Sequence, residues 1–100
     1  MGNWRLSPAY DLNPVSVQFR PRILSTLIDE QSGDASIELA LSVADYFRLA
    51  PPKARQMASE VARAVSGWRQ EATALGIPAT ETEIVASAFE NEDLARAKKL

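Results

Sequence analysis

The sequence predicts a mostly α fold, a three-helix packed subdomain with a short β element at its N-terminal end. Three observations lead there. From residue 34 onward apolar side chains, many of them alanine, recur every three to four positions, the period of a helix with one buried face. Helix-breaking residues at Gly33, Pro51-Pro52 and Gly76/Pro78 divide that stretch into three. Strand-like alternation is confined to residues 1–33, which also hold Pro8, Pro14 and Pro21. The chain therefore reads as one domain or subdomain, with a strand and loop segment over 1–33 and a helical bundle over 34–100.

Within the first segment, Val15, Val17 and Phe19 alternate with Ser16, Gln18 and Arg20, a half-buried strand pattern that Pro21 ends or places at a sheet edge. Residues 23–28 are a second, less regular strand candidate. Asp34 or Ser36 can cap a first helix over about 35–48, because a short side-chain oxygen accepts from the free amides of a first turn. Its two apolar stripes, Ile37/Ala40/Ala44/Phe47 and Leu39/Val43/Tyr46, ask for cover around more than half of the circumference.

Pro51-Pro52 suits the start of a second helix, since proline costs nothing in a first turn. Ala54, Ala58, Val61, Val65, Trp68, Ala72 and Leu75 then recur at alternating steps of four and three, a seam that predicts one helix of roughly 36 Å. A coiled-coil dimer is the other reading of that seam, and its many alanines favour packing within the chain with Trp68 as the large anchor. Gly67 should cost such a helix about 1 kcal/mol, which calls first for a close backbone neighbour there, and otherwise for a kink or the approach of a ligand. Thr80-Glu81-Thr82-Glu83 fits a capping box and starts a third helix, with Ile84, Val85, Ala88, Phe89 and Leu94 inward and Arg96, Lys98 and Lys99 at its negative end.

The composition excludes several chemistries. With 11 basic and 13 acidic residues the net charge is −2, without the basic excess of a dedicated nucleic-acid binder. No cysteine and no histidine are present, which rules out disulfides, the usual zinc sites and a His-activated nucleophile within the chain. No apolar run approaches the ~20 residues that span a bilayer, so no membrane role is expected and the cytoplasm is the expected location.

Carboxylates, hydroxyls, tyrosine, lysine and arginine remain as candidates. Glu90, Glu92 and Asp93 read as a solvated helix face, because neighbouring helical positions point apart. Asp29 and Glu30 read as turn residues before Gly33. Arg20 and Arg22 carry guanidinium forks suited to phosphate, yet charge protecting an edge strand explains them equally well. Asp11 follows a Pro-Ala-Tyr turn, where a local hydrogen-bonding role is the simpler reading from spacing alone.

A resemblance alters the weight of Asp11. Residues 4–14, Trp-Arg-Leu-Ser-Pro-Ala-Tyr-Asp-Leu-Asn-Pro, resemble the C-terminal kinase signature of the HipA family, the Ser/Thr-kinase toxins of bacterial type II toxin–antitoxin modules. Arg22-Ile23-Leu24-Ser25-Thr26, Ile28-Asp29, the helix beginning at Ala35-Ser36, Ser66-Gly67-Trp68-Arg69 and Ala88-Phe89-Glu90 resemble that family's tail in the same order. The resemblance implies that this chain is the C-terminal part of a HipA-like kinase fold and that Asp11 is the counterpart of the D-F-G aspartate, a Mg²⁺ ligand beside the ATP phosphates. A hard cation takes carboxylate and phosphate oxygens and neutralises charge on the transferring group. It also implies the rest of the kinase chain and an antitoxin protein as partners.

The other kinase parts, a phosphate-covering loop, a phosphate-binding lysine, a catalytic-base aspartate and a second metal ligand, are not found in these 100 residues. The expectation is therefore that no residue of this chain is catalytic by itself, that Mg²⁺ and ATP belong to the complete kinase, and that the isolated polypeptide transfers no phosphoryl group. An expressed fragment, a degenerate short gene and a free-standing module are all compatible with the start at Met1-Gly2-Asn3. A non-catalytic interaction domain derived from such a kinase, docking through Val15, Val17 and Phe19, is the competing expectation. A small DNA-binding helical domain is disfavoured by charge.

Overall fold

The computed structural model describes Asn3, residues 5–9 and residues 12–100. Along the chain run α1 (Ile37–Ser42), a 3-10 helix (Ala44–Phe47), α2 (Pro51–Val65), α3 (Trp68–Ala74), α4 (Ala79–Phe89) and α5 (Glu92–Lys98). The mostly helical class is as expected, but each of the three expected helices is divided in two.

Local chemistry explains each division. Ser36 caps α1 by accepting from the Leu39 amide at 3.3 Å, and the Ser42 hydroxyl then donates to the Leu39 carbonyl at 2.6 Å, an internal bond that competes with helix continuation. The chain tightens into the 3-10 turn, and Arg48 closes it with φ 59°. In α2 the Ser66 hydroxyl donates to the Ala62 carbonyl, Gly67 follows with φ −85° and ψ 9°, and α3 restarts at Trp68. An added Cβ on Gly67 would meet only the Ala64 carbonyl oxygen at 3.7 Å. The glycine therefore marks a kink and not the close approach of another element.

The stop after α3 is as the sequence predicts. Gly76 adopts φ 79°, its amide donates to Thr73 and the Ile77 amide donates to Ala72, both at 3.0 Å, the paired bonds of a Schellman motif. The expected capping box does not form. Pro78 precedes α4 without a side-chain cap, so Thr80 and Glu83 lie inside the helix and Glu83 is drawn to Arg69. Asn91 ends the third expected helix early by capping α5, its Oδ1 accepting from the Leu94 amide at 3.0 Å.

The core is narrow and built of small side chains. α2 packs chiefly on α5, and α3 packs on α4. Ala54, Ala62, Ala72 and Ala97 let the backbones approach, while Trp68 fills the remaining space by stacking on Phe89, ring centroids 4.4 Å apart and planes 12° apart. Phe47, expected in the core, is 70% exposed, because the 3-10 turn rotates it off the face that the α-helical period assigned to it.

The expected N-terminal β element reduces, among the described residues, to one antiparallel bridge between Ile23 and Asp34. Residues 16–20 form a turn: the Ser16 carbonyl accepts from the amides of Phe19 and Arg20, and its hydroxyl accepts from Gln18. Burial along this stretch is the reverse of a strand's expectation, with Ser16 buried and Val15, Val17 and Phe19 exposed. The bridge closes a loop over 24–33 in which Asp29 Oδ1 accepts from Gln31 and Ser32, the turn role expected of it. A Cβ on Gly33 would lie 2.5 Å from the Leu24 carbonyl oxygen, so the loop closes only around glycine.

Candidate functional site

Asp11 lies outside the described residues. The structure does describe how the chain just after it is held. The Val17 amide donates to Ser87 Oγ on α4 at 3.0 Å, and the Ser87 hydroxyl lies 3.3 Å from Ser16 Oγ. Pro14 sits against an apolar groove with Trp68 and Phe89. The segment that follows Asp11 is thus tethered to the α3–α4 side of the helical layer.

A second tether lies five residues further along. Arg22 Nη2 pairs with Asp93 Oδ2 at 2.7 Å, and Asp93 Oδ1 accepts from the Ile37 amide at 2.8 Å. One carboxylate on α5 therefore holds the N-terminal segment and the first turn of α1 together, where its negative charge also suits the positive end of that helix. Burial pushes the Asp93 carboxyl up, but the Ile37 amide and the Arg22 guanidinium together outweigh it and hold the group below its ordinary range. Arg96 on the same helix reaches Glu38 at 2.6 Å.

The third cluster joins α3 to α4. The Arg69 guanidinium donates to both carboxylate oxygens of Glu90 and to Glu83, and its centre lies 4.9 Å from the Trp68 ring centroid. The hydrogen bonds from Arg69 hold Glu90 below the usual carboxylate range. Arg69 itself is raised further above its already high value, chiefly by Glu90 and then Glu83.

These positions answer the residue expectations one by one. Arg20 and Arg22 do not form a common phosphate fork, since Arg22 is engaged by Asp93 and Arg20 is exposed. Glu90, Glu92 and Asp93 do not share one solvated face: Glu90 serves Arg69, Asp93 is largely covered, and Glu92 is exposed. Among the described residues no group of three or more carboxylates gathers to hold a metal ion. No described helix is long and apolar enough to cross a membrane.

Sequence reasoning missed Ser16, Ser87 and the double role of Asp93. A signal existed for Asp93, since Asn91-Glu92-Asp93 is a helix cap followed by two acids. For Ser87 there was none, because its partners are some 70 residues away in the chain. Comparison with protein-family models, with curated proteins and with solved structures found no match.

Proposed function

We propose that the chain is the C-terminal helical portion of a HipA-like Ser/Thr kinase, in which α3–α5 hold the segment that carries Asp11. Two kinds of support converge on it: the ordered resemblance of residues 4–14 and of the later motifs to that family, and the tethering of residues 16–22 to Ser87 and Asp93. The tethering carries the reading. A metal-ligating carboxylate must be held to within a fraction of an ångström to be useful, and a loop gains that fixity from packed helices beneath it.

In the complete kinase Asp11 would hold Mg²⁺ through a carboxylate oxygen, and the ion would supply charge neutralisation at the ATP phosphates. Ser87 fixes the backbone at Val17, Asp93 fixes Arg22, and the helical layer keeps both anchors in place. The remaining ligands and the catalytic base belong to the rest of the kinase chain, so this portion alone transfers no phosphoryl group. A cytoplasmic location and an antitoxin partner follow from the same reading. A non-catalytic interaction domain derived from such a kinase is the second reading, favoured by the exposed side chains of Val17 and Phe19.

In a complete kinase chain containing this segment, Asp11→Ala is expected to abolish phosphoryl transfer and leave Tm nearly unchanged. Residual transfer accompanied by a collapse of the fold would overturn the metal-ligand role.

A further inference from the structure

Most hydroxyl side chains along the helices find partners close by. Ser42, Ser66, Thr73 and Thr82 each donate to a backbone carbonyl three or four residues back, and Ser87 bonds across to Ser16 and Val17. Ser59, in the middle of α2, does neither. It is only 4% exposed, and among the described residues its hydroxyl is the one buried side-chain nitrogen or oxygen without a hydrogen-bond partner. A buried hydroxyl left unpaired is costly, so its position asks for a group that bonds it.

Ser59 lines an open cavity of about 370 Å³, together with Arg55, Gln56, Glu60 and Arg63 of the same helix and Leu100 beyond α5. Arg55, Ser59 and Arg63 are spaced four apart, so they stand in one row along the helix with a rise of about 6 Å between neighbours. The hydroxyl is thus bracketed by an arginine on either side. Arg69 and Arg96 hold glutamates, whereas Arg55 and Arg63 are exposed and their guanidinium groups make no hydrogen bond or ion pair among the described residues. The one acidic side chain on the lining, Glu60, accepts from Gln56 Nε2 at 2.9 Å. The row therefore presents donors from successive turns of one helix, with two cations against one acidic side chain.

We propose that this row is an oxyanion site that takes a phosphate group, Ser59 Oγ donating to one oxygen while the forks of Arg55 and Arg63 close on the others from either side. A guanidinium matches phosphate oxygens with paired donors. A tetrahedral group also presents acceptors in the several directions from which these donors arrive, where a carboxylate presents only two oxygens. The hydroxyl at the base sets the position of the group, and the two long side chains supply most of the attraction. The proposal does not rest on the kinase reading: it is tested on α2, and its failure leaves Asp11 untouched.

Backbone amide chemical shifts of the unaltered protein, titrated with inorganic phosphate and separately with sodium chloride of equal ionic strength, test it. Residues 55–63 should shift saturably with phosphate alone. Arg55→Gln and Arg63→Gln should each weaken binding at least about fivefold and Ser59→Ala at least about threefold, the scale of a lost hydrogen bond to a charged group. Arg20→Gln, which removes an exposed cation off the cavity, should leave binding unchanged. Ser59→Ala also separates a binding role from a merely structural one. Removing an unpaired buried hydroxyl should leave Tm unchanged or higher without phosphate, while the rise in Tm that phosphate gives the unaltered protein shrinks. Glycerol phosphate run beside inorganic phosphate distinguishes the sources: binding of the ester at least as tight assigns the site to a phosphorylated molecule, and weaker binding of the ester assigns it to the free ion. No saturable shift, shifts that sodium chloride reproduces, an equal loss in Arg20→Gln, or full phosphate binding by Ser59→Ala would each overturn the proposal.

Discussion

Residues 36–98 and residues 12–35 touch each other, yet the means that hold them differ. In the first, Trp68 and Phe89 stack between α3 and α4, alanines bring α2 against α5, and Arg69 clamps two glutamates across the helix pair. In the second, Leu12, Phe19, Ile23 and Leu27 are exposed, and the segment is fixed by named polar contacts: the bonds to Ser87, the ion pair to Asp93, and one β-bridge. Burial is non-directional and shared among many atoms, so the helical layer tolerates small errors of placement. A hydrogen bond or an ion pair fixes one atom against another, so the segment is held at a few points and not over a face.

The largest expected effect tests the burial half of that contrast. Trp68→Ala should lower stability by ~3–5 kcal/mol, as removal of a core aromatic does, whereas Phe47→Ala should cost no more than about 0.5 kcal/mol because that ring is exposed. Chemical denaturation monitored by circular dichroism measures both. Similar losses in the two variants would show that the aromatic stack is not what organises the layer.

A smaller effect tests the polar half. Asp93→Ala removes an ion pair and leaves the Ile37 amide without its acceptor, for about 1–3 kcal/mol, while Asp93→Asn keeps an oxygen for Ile37 and should cost less. The folded-state pKa of Asp93 lies below its ordinary 3.8, and that of Glu90 below its ordinary 4.5. Their contributions are therefore fully present above about pH 5 and are lost as the pH falls through the folded-state values. Acid titration of Asp93→Asn should accordingly show a shallower loss of stability below pH 4 than the unaltered protein. An unchanged slope would remove Asp93 from the account.

The sequence made the helical class legible, along with the proline start of α2 and the glycine stop at Gly76, because each of these is decided within one turn of chain; for the first cap it left Asp34 and Ser36 open, and the structure uses Ser36. It also pointed to Trp68 as the large core anchor. The divisions at Ser42, Ser66-Gly67 and Asn91 were less legible, since an apolar period continues across a kink and conceals it. Thr80-Glu83 matched a cap motif, but Pro78 starts the helix two residues sooner and Arg69 offers Glu83 a charged partner. The alternation of Val15, Val17 and Phe19 pointed to a strand, yet Ser16 bonds its own neighbours and turns the chain inward at the polar residue. Of the candidate site, Asp11 was singled out only through resemblance and lies outside the described residues, and the contacts of Ser87 with Val17 and of Asp93 with Arg22 emerge only once distant segments have been brought together.

Native-state amide hydrogen exchange tests the central claim most directly, namely that a helical frame carries a polar-tethered segment. Amides of α2–α5 should exchange through one shared, high-energy opening, and those of Val17, Leu24 and Ala35 through lower-energy local openings, at least about tenfold faster. Ser87→Ala should accelerate Val17 further and leave α2 unchanged. Equal protection of Val17 and the α2 amides, or acceleration of α2 by Ser87→Ala, would contradict the division of the molecule into frame and tethered segment.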